Sequence, residues 1–414
     1  MTGRLPDLDV VRGFLRESWD AGAALERLGM KHVRASADGD LRVLYEVPGR
    51  DGAVLRLSAR RVSPEEGRRA QGPALYAPDL GLLFHVFPAD RRLPALAVAT
   101  DARAMRPVLE AALARVRDGA TLAAVRIEVL RYKPERKCLL RYELAWDGAP
   151  ASEIAYARVA RWPRFQRNRD ALRRIHEAAE GLAFALPEPL GVVPDLGMEL
   201  FAHVPGVRLF TLVETAAFPR LCAQLGAALH DFHALPVVLD AERDPAEDVA
   251  VLRQSAEEFA WLLDAEAARI RALTRRLSAA LTAVPPASRR LVHGDFHGDN
   301  VLVDGDRLAL IDLEDCAMGD PADDAALNWA QLTWHALTAA ERSPYLPETG
   351  RDAFLHAFLA RAEAVTAERL PVRAAIQCFL NAYQSVRRPQ DPDAIADAQL
   401  LLGACEHVLE RGLA

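Results

Sequence analysis

The chain has 414 residues, more than one hydrophobic core usually organises, so two or three compact units are expected. Its 51% hydrophobic and 26% charged residues are the composition of a folded chain and exclude a disordered one. The net charge of -7, from 51 basic and 58 acidic residues, supplies no basic field for a phosphate polymer, so nucleic acid is not expected as a partner.

The opening MTGRLPDLDVVRGFLRESWD lacks an apolar signal core, and no later stretch approaches the roughly 18 apolar residues of a membrane span, which predicts a cytoplasmic protein without membrane contact. The first 120 residues predict a mixed unit. A helix near Val10–Asp20 is followed by strand-like runs at 41–47, 53–62 and 82–87 and a helix near Ala104–Arg117. No chemical motif lies there; a lid, a homodimer surface and a specificity module are the roles open to it. The turn dipeptide Asp118-Gly119 marks the boundary.

From Ala123 the run VRIEVLRYKPERKCLLRYELAW alternates apolar and polar residues around a KPER turn, the period of a half-buried hairpin. A third strand is predicted at 153–162 and a helix over 165–179 with Pro163 in its first turn. Two short strands follow within LPEPLGVVPDLGMELFAHV, giving the order β, β, β, α, β, β over 121–205. From 206 to 414 the pattern is helical, broken by short strands LVHGD, NVLVDG and RLALIDL at 291–313. The fold class is therefore α+β: an N-terminal α+β unit (1–120), a small strand-rich lobe (121–205) and a large helical lobe (206–414). The cysteines, Cys138, Cys222, Cys316, Cys378 and Cys405, are odd in number and without CxxC spacing, so neither a disulfide framework nor a zinc site is predicted.

The chemistry concentrates in LVHGDFHGDNVLV, Leu291–Val303. His293, Gly294 and Asp295 lead to Asn300, and Asp312 ends the apolar run LALI. Phosphoryl transfer needs a carboxylate to orient the attacking hydroxyl and two groups to hold magnesium on the phosphates, and Asp295, Asn300 and Asp312 are that set. Their spacing matches the kinase pattern H-x-D-x-x-x-x-N plus a later Asp, with Gly294 in place of the HRD arginine and Leu313-Glu314 in place of the DFG Phe-Gly.

HGDFHGDN and IDLED, with LGAALHDFHAL before them and GDPADDAA after, resemble the aminoglycoside phosphotransferase and choline kinase family over about 125–385. The resemblance implies a protein-kinase-like two-lobe fold behind the extra N-terminal unit. It also implies a small-molecule kinase that moves the γ-phosphate of ATP or GTP to a hydroxyl of an aminoglycoside-like, amino-alcohol or sugar acceptor. Asp295 would be the base, and Asn300 and Asp312 would bind Mg²⁺. A protein kinase fits less well, because the HRD arginine, the DFG glycine and an APE-like segment are missing; a nucleotide-binding pseudokinase or scaffold is the non-enzymatic alternative.

Carried over from the same resemblance, the third-strand cation on the phosphates falls on Arg158, with Lys137 on the adjacent strand as the alternative; the only other lysines are Lys31 and Lys133. Glu177, or Glu180, would hold that cation from the following helix. Adenine would bind between the lobes at Met198–Val204, with Glu199, Phe201 and His203 in the stretch that supplies backbone hydrogen bonds. The turn YKPERKC has no glycine for close backbone approach to phosphates. His293 is expected to brace the loop and His297 to face solvent. Asp320 reads as a helix N-cap before Pro321, and Asp315, Asp323 and Asp324 lie where they could attract a cationic acceptor. Trp329, Trp334 and Tyr383 read as core, or as walls of an acceptor pocket that would hold a quaternary ammonium by cation–π attraction.

Overall fold

The computed structural model describes residues 5–19, 25–36, 39–49, 54–70, 72–117, 119–162, 170–286, 288–338 and 347–413. Its first unit opens with the helix Leu8–Ser18, which Asp7 caps by accepting from the backbone N–H of Asp9 and Val10. Five antiparallel strands follow: β1 (Gly29–Ala35), β2 (Leu41–Pro48), β3 (Val54–Arg61), β4 (Ala74–Ala77) and β5 (Leu82–Val86), in the order β1-β2-β3-β5-β4. The predicted runs at 41–47, 53–62 and 82–87 are β2, β3 and β5.

A second antiparallel sheet is built from β6 (Leu122–Lys133), β7 (Lys137–Trp146), β8 (Glu153–Ala160), β10 (Pro189–Val193) and β11 (Met198–Ala202), ordered β10-β11-β8-β7-β6; the two-residue β9 (Phe184–Ala185) belongs elsewhere. The sequence alternation sorts its two faces. Cys138, Leu140, Tyr142 and Leu144 of β7, with Ala157 and Val159 of β8 and Met198 and Leu200 of β11, are buried in one core with Leu96, Met105, Leu109 and Leu113. The helices Leu96–Ala99 and Ala102–Leu113, expected with the N-terminal unit, thus cover the back of the second sheet, and Tyr142 donates to the Ala99 carbonyl at 2.7 Å. The predicted helix start at Pro163 lies outside the described residues; the helix is described as Ala171–Ala178.

The remainder is helical: Phe218–His233, Pro245–Leu262, Ala267–Ala283, Pro321–Thr338, Pro347–Leu359, Ala364–Val386 and Ala394–Arg411. Phe218, Phe232, Phe259, Phe296, Phe354, Phe358 and Phe379 fill its core. Short strands interrupt the helices. β12 (Val207–Arg208), β14 (Val301–Asp304) and β15 (Arg307–Leu310) form a sheet with β9, and β13 (Arg290–Val292) pairs with β16 (Ala317–Gly319). The segment between β13 and β14 carries HGDFHGDN.

The N-terminal unit touches both lobes. Val33 of β1 donates to the Arg387 carbonyl at 2.8 Å and accepts from Arg387 Nε at 3.1 Å, while Arg34 lies 3.4 Å from Glu258. On the other side Arg56 donates to the Val129 carbonyl of β6 at 3.3 Å. All five cysteines are free and buried. Among the described residues no helix is long and apolar enough to cross a membrane.

Candidate active site

The loop after β13 is held from below by a buried carboxylate. Asp324, in the first turn of Pro321–Thr338, accepts from the backbone N–H of His293 at 2.7 Å and of Gly294 at 2.8 Å, and from His233 Nε2 at 3.0 Å. Burial would raise its carboxyl, but the His233 bond and charge outweigh it, and Asp324 titrates below its ordinary value. His293 braces the loop as expected: its Nε2–H donates to the Ile311 carbonyl at 2.9 Å, which leaves Nδ1 to accept from Asp295 N–H at 3.4 Å. Gly294 has φ 84°, and a Cβ there would come within 2.3 Å of both Asp315 O and Arg243 Nη2. Geometry therefore admits only glycine where protein kinases carry arginine, and Arg243 reaches in from outside the motif to donate to the Gly294 carbonyl at 2.8 Å.

Asp295 and Asn300 are brought together. Asn300 Nδ2 donates to the Asp295 carbonyl at 2.8 Å and lies 3.3 Å from Asp295 Oδ2 and from His297 Nε2. With its amide nitrogen so engaged, Asn300 presents its side-chain oxygen as the atom to accept a hydrogen bond or ligate a metal. His297, expected to face solvent, sits instead 3.7 Å from Asp295 Oδ1 and is mostly covered. Nε2 faces the Asn300 amide N–H and accepts from it, and burial pushes the ring below its ordinary value. Phe210 stacks near it, with ring centroids 6.5 Å apart, and meets His335 edge-on at 4.6 Å.

Asp312 follows β15 with φ 62° and ψ 48°, a left-handed conformation that Asp adopts more readily than most residues and that turns its carboxylate toward the second sheet. Register places Arg131, Lys133, Lys137, Arg158 and Glu199 on the sheet face opposite the hydrophobic core: Lys133 pairs with Lys137, Arg131 with Leu139, Leu139 with Arg158 and Arg158 with Glu199. Lys137 Nζ is 3.8 Å from Asp312 and pairs closely with Glu314; Arg158 Nη1 is 3.9 Å from Asp312 and 3.4 Å from Glu314. Both cations that the sequence offered for the phosphates therefore converge on one spot. Burial tends to raise Asp312, yet Lys137 and Arg158 hold it below the usual carboxylate range. Burial also pushes the Lys137 ammonium down to about 7 and that of Lys133 to about 8.

Several expectations are corrected. Glu177 does not hold Arg158; it is exposed and pairs with Arg173 one turn away at 2.8 Å. The carboxylates that do so are Glu199, directly across the ladder, which accepts from Arg158 Nε at 2.9 Å, and Glu314. Glu199 stands directly opposite Arg158 in the β8–β11 ladder, and sequence spacing does not reveal such a pairing. Asp323 and Asp324 are too buried to attract an acceptor. Asp323 lies 3.1 Å from Arg373 Nε, and Asp320, whose Oδ1 caps the Ala322 N–H at 3.0 Å, binds Arg369 and Arg373 through Oδ2. Trp329 and Tyr383 are buried, in keeping with the core reading, and internal guanidinium groups cover all three aromatics: Arg351 lies over Trp329, Arg387 over Tyr383 and Arg388 over Trp334 at 5.4, 5.0 and 4.9 Å.

At the far end of the cleft, Phe201 and His203 cluster with Tyr156, with ring centroids 6.4 and 5.9 Å from it. Strand β11 lies between β8 and β10 as far as Ala202, so His203–Gly206 is the link between the lobes. Asn300 and Asp312 offer hard oxygen donors suited to Mg²⁺, which takes few protein ligands and completes its shell with phosphate and water.

The sequence profile of the phosphotransferase enzyme family matches residues 148–375, more than half of the chain. No match is found among curated protein sequences. Among solved structures, a spectinomycin phosphotransferase in complex with ADP and spectinomycin superposes with a TM-score of 0.50 at 11% identity, over 75% of this chain and 98% of that one. A choline kinase from Streptococcus pneumoniae gives 0.48 at 14% identity (74% and 99% covered), and a choline/ethanolamine kinase family protein from Mesorhizobium loti 0.47 at 16% (74% and 95%). The likeness to the first is one of fold, the two-lobed kinase-like architecture.

Proposed function

The chain belongs to the phosphotransferase enzyme family, and on that premise we propose that it transfers the γ-phosphate of ATP or GTP to a hydroxyl of a small molecule. The observation that supports this reading is that Asn300 lies against Asp295 and Asp312 against Lys137 and Arg158, the two groups being tied where Ile311, the residue before Asp312, donates to the Asn300 carbonyl at 2.9 Å. Asp295 orients the acceptor hydroxyl and takes its proton as the new O–P bond forms and the bond from the γ-phosphorus to the β,γ-bridging oxygen breaks. Lys137 and Arg158, poised by Glu314, give up part of their pairing to the phosphates. Asn300 and Asp312 would hold Mg²⁺, which neutralises charge on the β- and γ-phosphates when bound. The nucleotide base lies against Tyr156, Phe201 and His203 and takes backbone bonds from the interlobe link.

The acceptor class is an aminoglycoside-like compound, an amino alcohol or a sugar. With Asp320, Asp323 and Asp324 bound to internal partners, the polar groups on the acceptor side include Asp295 and His297, beside Phe210 and His335, with the charge of Asp299 acting on both histidines. The test is transfer of labelled γ-phosphate to a panel of such acceptors by the full chain with Mg²⁺. The wild type is expected to phosphorylate at least one panel member, and Asp295→Asn to lose transfer while still binding nucleotide. Nucleotide binding with no transfer to any acceptor would establish a scaffold instead.

A further inference from the structure

The KPER turn between β6 and β7 lies where kinases place their glycine-rich phosphate loop, yet it has no glycine, and its conformation is set from outside the kinase unit. Asp90, which follows β5 and is 8% exposed, accepts from the Glu135 backbone N–H and from Tyr132 Oη, each at 2.7 Å. Its other oxygen accepts from the backbone N–H of Arg92 and Leu93 at 2.8 and 3.0 Å. Glu135 stands at φ 58°, and its side chain is gripped by Arg42 at 3.3 Å, Arg91 at 3.3 Å and Arg92 at 3.5 Å. A glutamate in the left-handed region persists only when its surroundings over-determine it, and one buried carboxylate with three guanidinium groups does that here.

The two lysines flanking this turn are paired across the ladder and point to the cleft face. Lys137 is already engaged by Glu314 and Asp312. Lys133 is not: it is half-buried, among the described residues no carboxylate lies within 4 Å of its ammonium, and the charges of Asp295 and Asp312 both act on it. A half-buried cation with no paired carboxylate, set by register beside Lys137 on the cleft face and with Arg131 and Arg136 also acting on it, calls for an anion in the cleft. We propose that Lys133 binds the terminal phosphates of the nucleotide, and that the N-terminal unit, through Asp90 and the Glu135 clasp, positions it. The lysine side chain thereby replaces the backbone amides that a glycine-rich loop would supply.

The inference rests on the kinase reading, and the experiment separates the two. Binding of ATP, ADP and adenosine to the full chain is measured by calorimetry for the wild type, Lys133→Met, Asp90→Asn, Glu135→Gln and Asp90→Asn/Lys133→Met, each checked for an intact melting transition. Lys133→Met is expected to weaken ATP about 10- to 100-fold, the loss of one charge-assisted hydrogen bond, and to leave adenosine unchanged. Asp90→Asn is expected to weaken ATP in the same direction, and the double variant to lose no more than Lys133→Met alone. If Asp90→Asn does not fold, Glu135→Gln carries the same expectation. Unchanged ATP affinity in Lys133→Met, equal loss of ATP and adenosine, or additive losses in the double variant would each overturn this inference and leave the phosphotransferase reading intact. A wild type that binds none of ATP, ADP, GTP and GDP would overturn both.

Discussion

Replacing Asp324 with asparagine keeps the shape of the side chain and removes its charge and one acceptor. In the native loop its two oxygens take three donors: the N–H groups of His293 and Gly294 at 2.7 and 2.8 Å and His233 Nε2 at 3.0 Å. An amide can offer only one oxygen and must turn an NH₂ toward a donor, so at least one buried N–H loses its partner. Asp324 is 1% exposed, and water cannot substitute. A hydrogen bond to a charged group is worth about 1.5–3 kcal/mol, and an unsatisfied buried donor costs about 1–3 kcal/mol. Asp324→Asn is therefore expected to lower stability by about 2–4 kcal/mol, and Asp324→Ala by about 3–5 kcal/mol, as for other broken buried pairs. Urea unfolding followed by tryptophan fluorescence measures this as a lower midpoint at unchanged slope. Turnover should fall as well, because Asp295 is the next residue along the loop. A midpoint change equivalent to less than about 1 kcal/mol would refute the assignment of Asp324 as the clamp of the loop.

Glu314→Ala is expected to destabilise the protein by about 3–5 kcal/mol, since it leaves Lys137 and Arg158 buried with too little opposing charge. Glu177→Ala is expected to change stability by less than about 0.5 kcal/mol, its pair being exposed; thermal melts that rank the two in the opposite order would restore the helix acid as the partner of Arg158. Burial, reinforced by Arg387, Lys133, Arg34 and Arg136, pushes His32 down to about 3 from its ordinary 6.5. Between those values the unfolded chain binds a proton that the folded one does not, so stability is present above pH 6.5 and is lost as pH falls, by up to about 1.4 kcal/mol per pH unit. His32→Gln should remove that part of the difference in unfolding free energy between pH 7 and pH 5, and an equal difference in both proteins would contradict it.

What could be read from the sequence was what local periodicity and fixed spacing encode. The hairpin around KPER alternates along the whole of β7 and over long enough stretches of the twelve-residue β6 to survive its two register shifts, at Leu122/Ala124 and Val129/Arg131, and the Asp295, Asn300 and Asp312 spacing is a property of one loop and one short hairpin. β1 escaped because its ladder carries a register shift between Met30 and His32, which breaks the alternation just where Lys31 and His32 interrupt the apolar residues. The partners of Arg158 escaped for another reason. Glu199 is 41 residues away and meets it only because β11 pairs with β8, so its role is a product of topology. Glu314 was visible in IDLED, two residues after Asp312, but nothing in the spacing shows that a turn after a left-handed residue would aim it back at the sheet. Asp324 and Asp323 looked like surface acid in GDPADDAA; only the burial of the helix start beneath the loop turned them inward.

The two attachments of the N-terminal unit have a mechanical consequence. Two lobes joined only by a link such as His203–Gly206 can rock about it, and kinase-like enzymes admit and release nucleotide in that way. Here β1 is fastened to the end of the helix Ala364–Val386 in the large lobe, while Asp90 and the arginines around Glu135 are fastened to the hairpin of the small one. The unit is a strut across the mouth of a hinge. A jaw so triangulated can open only by bending the strut or releasing one of its ends, and those ends are the bonds at Asp90 and Glu135 on one side and at Val33 and Arg387 on the other.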